Sequence, residues 1–141
     1  MEELYQSQIL ALARVARASG EIAHPTHKAH VRNPTCGDEI SLNLCLNATH
    51  IEAFHVEVSG CALCEAGAGL LAQQVQAASL SDIMMLGGRL EAFLADKKAD
   101  SGDNRTDEAL LPFTAVRAVK NRHKCVTLAF KALETLAPIT T

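Results

Sequence analysis

Apolar positions along this chain change period several times, and each change marks an element. Leu4, Ile9, Leu12, Val15 and Ala16 fall on one face of a helix expected from about Glu2 to Ala18, which Ser19-Gly20 stops. From Glu21 to Asp38 there is no period. Pro25, Pro34 and Gly37 punctuate the segment, so it reads as a long loop; a third strand could come from the part before Asn33, but no pattern marks it. Ser41 to Leu46 then alternates polar and apolar, with Leu42, Leu44 and Leu46 on one strand face. After a turn at Asn47-Ala48-Thr49-His50, the run Ile51–Val58 alternates again. Phe54, Val56 and Val58 share one side, His55 and Glu57 the other. Together the two runs predict an antiparallel hairpin.

Ala62–Ala78 is rich in Ala, Leu and Gln and reads as a helix, with Cys61 near its N-terminal end. Ser81-Asp82 predicts the N-cap of a further helix through Ala95, weakened in its middle by Gly87-Gly88. Lys97 to Thr106 is polar and reads as exposed. A short helix is expected over Leu110–Ala118, started near Asp107. A last one runs from Cys125 to Leu136, with Val126, Ala129, Phe130 and Leu133 inward and Pro138 as its stop. The order helix, small sheet, helices predicts an α+β fold, a small antiparallel sheet with helices packed on one face. Nothing in residues 1–141 repeats or breaks, so a single domain is expected.

Composition narrows the class. Apolar residues make up 48% of the chain, enough for a core. Aromatics are only 4%, so that core is built from Leu, Ala, Val and Ile. A net charge of −3 argues against a nucleic-acid binder, which carries a broad basic face. The acidic start Met1-Glu2-Glu3 has no secretory pattern, and no apolar run approaches the ~20 residues needed to span a bilayer. A cytoplasmic protein that engages no membrane is the expectation. In that compartment five cysteines point to metal or redox chemistry rather than to disulfides.

Three cysteines and one acid stand out by position. Cys36 and Asp38 lie in Asn33-Pro34-Thr35-Cys36-Gly37-Asp38, Cys61 follows Gly60 where strand meets helix, and Cys125 opens a helix after Arg122-His123-Lys124. Three thiolates and a carboxylate can close a tetrahedral site around one soft metal ion, and helix N-termini favour thiolates. The competing reading for each is an ordinary buried cysteine. Asp38 alone would pass for a turn residue. Gly37 and Gly60 are expected to allow unusual backbone angles or close approach to the site.

Other candidates are weaker. Cys61 and Cys64 form the chain's one C-x-x-C, readable as a redox pair or as one ligand plus a helix residue, and Cys45 reads as a small strand side chain. His24, His27 and His30 recur every third residue, but Pro25 breaks any helix that would align them, so a solvated loop is favoured over a ligand set. His123, beside Cys125, is the better histidine candidate to approach the site, although a helix starting there would aim the neighbours of Cys125 elsewhere. Lys120, Arg122, His123 and Lys124 form a basic cluster. It reads as a solvated helix start, or as a source of one cation, Arg122, for Asp38 or a thiolate.

Asn-Pro-Thr-Cys-Gly-Asp, the Gly-Cys that closes a hairpin, and Arg122-His123-Lys124-Cys125-Val126-Thr127-Leu128-Ala129-Phe130-Lys131-Ala132-Leu133 together resemble the U-type iron–sulfur cluster assembly proteins. The long segment between Cys61 and Cys125, and the Arg three residues before the last Cys, are most similar to the SufU branch. The resemblance covers roughly Asn33 to Leu136. It implies a scaffold or sulfur acceptor whose Cys36, Asp38, Cys61 and Cys125 bind zinc or a nascent iron–sulfur cluster. It also implies a cysteine desulfurase that delivers persulfide sulfur, and downstream apo iron–sulfur proteins or carriers that receive the product. By the same resemblance Cys36 is the first sulfur acceptor, Cys125 the second, and Arg122 stabilises the released thiolate. The chain departs from the family after the first helix, where Arg14–Glu21 lacks a His-Tyr-x-Asn-Pro-like motif, and in its small-residue run Ala62–Gly69, where Cys64 is an addition. Two other readings remain: a structural zinc domain that binds a protein partner, and a thiol oxidoreductase using Cys61 and Cys64.

Overall fold

The structure, a computed structural model, describes residues 3–34, 37–76, 78–95 and 108–139, with side chains from residue 5 onward. Helix α1 spans Glu3–Arg17 and ends just before Ser19-Gly20, close to the predicted stop. Ile9, Leu12, Ala13 and Ala16 form its buried stripe. Strands β1 (His27–Arg32), β2 (Glu39–Asn47) and β3 (His50–Ser59) follow. Helices α2 (Ala62–Gln74) and α3 (Leu80–Ala95) lead to 3-10 turns over Glu108–Ala118 and Lys120–Arg122, then to α4 (His123–Leu133) and the two-residue β4 (Ala137–Pro138).

The sheet is antiparallel with strand order β3-β2-β1-β4. Leu42 lies opposite Val56 and Leu44 opposite Phe54, so the two alternating runs of the sequence meet on one face as predicted. Ile40, Leu42, Leu44 and Val56 are buried there beneath the helices. Helix α4 packs on β1 and β2, while α1 and α2 pack on β3. This is the expected α+β layer of helices on one side of a small sheet. On the other side Lys28, His30, Arg32 and Glu57 are exposed.

Helix α2 lies between α1 and α4, at the centre of the helical layer. Its small residues explain that placement. A Cβ on Gly67 would collide with the Val126 carbonyl of α4, and one on Gly69 with the Leu12 carbonyl of α1. The run Ala66-Gly67-Ala68-Gly69 thus brings three helix backbones closer than larger side chains permit.

Several local expectations differ from what forms. The segment read as a loop contains strand β1, whose Ala29 and Val31 face the core between exposed Lys28, His30 and Arg32. Its alternation is faint because Ala29 adds little hydrophobic signal. Helix α2 ends at Gln74 rather than Ala78, because Ala78 O accepts from Ile51 N at 3.0 Å and Leu80 N donates to Thr49 O at 2.7 Å. That segment satisfies backbone groups at the open edge of β3. Farther along the same edge Ser19 Oγ accepts the Val56 N–H at 3.1 Å, and its own hydroxyl faces Ala16 O at 2.9 Å and Val56 O at 3.2 Å. Ser79, not Ser81, caps α3, its Oγ accepting from Asp82 N at 3.1 Å. Residues Glu108–Ala118 wind as 3-10 turns around Pro112, which has no N–H for an α-helical bond. Finally α4 starts two residues before Cys125 and ends at Leu133, so Pro138 does not stop it but pairs with His27 in β4. The polar run Lys97–Thr106 and the start near Asp107 lie outside the described residues.

Candidate metal centre

The β2–β3 ladder sets the first part of the site. Glu39 lies opposite Ser59, so the next residues outward, Asp38 and Gly60, face each other as the strands part. Gly60 leaves room for the acid. A Cβ there would stand 2.5 Å from Asp38 Oδ1 and 2.8 Å from its Cγ. Gly37, at φ +77°, supplies the left-handed turn that aims the chain into β2. The two glycines therefore split the roles predicted for them: an unusual angle at Gly37, a close approach at Gly60.

Asn33 closes the loop that precedes Asp38. Its N–H donates to Asp38 O at 2.8 Å and its carbonyl accepts from Gly37 N at 2.7 Å. This pair of backbone bonds pins the segment at both ends, a role that the sequence reading did not give to Asn33. The Asn-Pro pair, a common turn opener, was the available signal. Cys36 lies in that segment but outside the described residues.

Cys61 stands at the N-cap position of α2 with extended backbone angles. Its N–H donates to Asp38 Oδ1 at 3.2 Å, and its Sγ lies 3.9 Å from Asp38 Oδ2. Cys125 is the third residue of α4 and fully buried. The ligand atoms of Asp38, Cys61 and Cys125 all lie within 4.8 Å of one another, the one such cluster of metal-ligating groups among the described residues. Two helix N-termini thus converge on two thiols and a carboxylate, and the positive end of each helix dipole favours negative charge there.

The donor set suits a thiophilic ion. Around a tetrahedral zinc with bonds of about 2.3 Å to sulfur, neighbouring ligand atoms stand roughly 3.8 Å apart. The spacing observed needs only small side-chain adjustments to meet that. Asp38 is 5% exposed and Cys125 0%, while Cys61 is half-buried, so the cluster opens toward solvent on the Cys61 side.

The remaining sequence candidates are not in this cluster. Cys64 is fully buried in the core one turn into α2. Cys45 points its thiol at the His24 carbonyl, 3.4 Å away. His30 sits on β1 beside Ser41 and Glu39, and His27 beside Thr26, so the three loop histidines form no ligand set. His123 turns away from the cluster, its Nε2–H directed at the carbonyls of Val116 (2.9 Å) and Arg117 (3.2 Å). Arg122 occupies the N-cap position of α4 and is exposed, one turn before Cys125. No helix of the described residues is long and apolar enough to cross a membrane.

Known proteins match this chain over nearly its whole length. The family model for the NifU-like N terminal domain matches residues 4–128. The zinc-dependent sulfurtransferase SufU of Bacillus subtilis (strain 168) is 27% identical over 135 residues, covering 95% of this chain and 89% of the relative. The iron–sulfur cluster assembly scaffold protein IscU of Thermotoga maritima is 28% identical over 134 residues, covering 93% and 90%. Among solved structures, a putative iron–sulfur cluster assembly scaffold protein for the SUF system from Fervidobacterium islandicum AW-1 superposes with a TM-score of 0.78 at 22% identity, over 96% of this chain and 94% of that one. The N-terminal part of a nitrogen-fixing NifU-like protein from Brucella abortus gives 0.76 at 24% identity, over 93% and 90%. At those identities the two structures speak for the fold alone.

Proposed function

The chain belongs to the NifU-like N-terminal domain family, and from that premise we propose that it is an iron–sulfur assembly scaffold that accepts sulfur from a cysteine desulfurase at a site of three cysteines and one aspartate. The observation that carries this reading is the convergence of Asp38, Cys61 and Cys125 within 4.8 Å, at the ends of three different elements. Cys36, two residues before Asp38 in the sequence, is the fourth ligand of this reading. Two relatives point to the two cargoes that such a donor set suits: one is named a zinc-dependent sulfurtransferase, the other an iron–sulfur cluster assembly scaffold. Zinc bound there would supply Lewis acidity that keeps the thiols deprotonated.

The chain's own groups perform the transfer. Cys36, as thiolate, attacks the outer sulfur of the desulfurase persulfide. One S–S bond forms on the acceptor, the donor's S–S bond breaks, and the donor cysteine leaves as thiolate, so no external oxidant or reductant is consumed. Asp38 is the harder and more exchangeable ligand of the set, which suits it to release and rebind as the site opens. Gly60 and the Cys61 N–H hold that carboxylate in place. Arg122, exposed beside the first turn of α4, offsets the charge of a freed thiolate. Cys125, sealed in the core, is the second acceptor candidate.

Incubation with a desulfurase and labelled cysteine, followed by non-reducing mass spectrometry, tests the reading. A mass increment of one sulfur on wild type, lost in Cys36→Ser and kept in Cys64→Ala, is the expected result. A chain that accepts no sulfur but unfolds on metal removal would be a structural zinc domain instead.

A further inference from the structure

Between residues 109 and 133 the sequence holds five lysines and arginines and no acid, in a chain of net charge −3. The structure divides these five. Arg117 lies 3.7 Å over the Phe93 ring and bonds the Phe93 carbonyl, and Lys131 pairs with Glu91 and Glu134. Lys120, Arg122 and Lys124 face solvent, and Lys120 and Lys124 pair with no carboxylate among the described residues. Val119 beside them is 44% exposed, one of few large apolar side chains so placed.

This stretch is a fixed knuckle. Val119 N donates to Val116 O and Arg122 N to Val119 O, each at 2.9 Å. His123 ties the far side to the Val116 and Arg117 carbonyls. A preorganised surface loses little conformational freedom on binding. The knuckle ends where α4 begins, so its cations and the Cys125 ligand sit on successive turns of the same chain.

We infer that the Val119–Lys124 knuckle is the docking surface for the sulfur donor, and that the partner presents an acidic patch to it. The inference rests on the function proposed above and names the contact that brings the donor to the site. Exposed cations on a negatively charged protein form a local field that steers an acidic partner and orients it, with Val119 as a central apolar contact. Such a surface acts on association rate more than on the chemistry that follows.

The test measures association of the chain with the cysteine desulfurase encoded in the same genome, across a series of salt concentrations. Two variants of equal net charge are compared: Lys120→Gln/Lys124→Gln, and a control, Arg14→Gln/Lys28→Gln, whose exposed cations lie elsewhere. The knuckle variant should associate about ten-fold more slowly at low salt, with a flatter salt dependence. Its metal content and its sulfur uptake at saturating desulfurase should match wild type. The control should stay within about two-fold of wild type. Equal slowing in both variants would overturn the inference, because only total charge would then matter. So would a knuckle that binds a single-stranded DNA oligonucleotide while its removal leaves desulfurase association unchanged. Failure of the function itself reads differently: wild type would take no sulfur from the enzyme, and the docking role would fall with it.

Discussion

Helix α2 and the turn that leads into it use glycine for two different purposes. In the middle, Gly67 and Gly69 let the α4 and α1 backbones press against the helix, at the Val126 and Leu12 carbonyls. At the N-terminal end, Gly60 gives its space to the Asp38 carboxylate, next to the half-buried Cys61. The mid-helix contacts are main chain against main chain and leave nothing that can move aside. The contact at the end is with one side chain, which can swing out at the expense of the metal centre. The same residue type therefore supports the fold in one place and the chemistry in the other.

The largest effect is expected where the backbones meet. Gly69→Ala should cost about 3 kcal/mol, read from the urea unfolding midpoint, because α1 as a whole must shift to admit one methyl group. A midpoint within error of wild type would show that the α1–α2 seam yields more than its geometry suggests. Next comes Gly60→Ala. It should leave the unfolding midpoint of metal-free protein within about 1 kcal/mol of wild type. Zinc affinity, measured by competition with a chelator, should fall about 10- to 100-fold as Asp38 is displaced. Loss of both stability and affinity would erase the distinction between the two regions.

A third case sharpens the comparison from the opposite side. Ala48 in the β2–β3 turn has φ +55° without being glycine. Ala48→Gly should stabilise the protein by about 0.5–1 kcal/mol in thermal or urea unfolding, with no change in metal binding. The smallest effect is expected at the far end of α4 from Cys125. There the hydrogen bond to Glu91 raises the Lys131 pKa above its ordinary 10.5. A raised lysine pKa adds stability that is present at neutral pH and is lost as pH climbs through the raised value. Lys131→Met should therefore cost no more than about 0.5 kcal/mol at pH 7, given the exposure of the pair, and nothing at strongly alkaline pH. Metal content should not change.

Much of this was legible in the sequence, for physical reasons that differ by element. The hairpin was readable because Leu42 and Leu44, and Phe54, Val56 and Val58, announce a half-buried sheet by period alone. Strand β1 was not, because its partners lie on β2 and β4 and its inward Ala29 is small. The ends of α2 and α4 were set by bonds between distant segments, Ile51 to Ala78 and His27 opposite Pro138, which no local pattern encodes. At the centre, Asp38, Cys61 and Cys125 were named from motif and position, and they converge. What spacing could not give was the reason they converge: the β2–β3 register that sets Asp38 across from a residue with no side chain. The role of Asn33 was hidden for a similar reason, since its contribution is made by backbone atoms that every residue has.

The most direct test of the proposed four-ligand centre is metal stoichiometry by elemental analysis of purified protein. Wild type should be compared with Cys36→Ala, Asp38→Ala, Cys61→Ala and Cys125→Ala, with Cys45→Ala and Cys64→Ala as controls. About one zinc or iron per chain is predicted for wild type and both controls, as one four-ligand site requires, and a marked loss in each of the four ligand variants. Metal retained without Cys61 or Cys125, or lost without Cys64, would contradict the account.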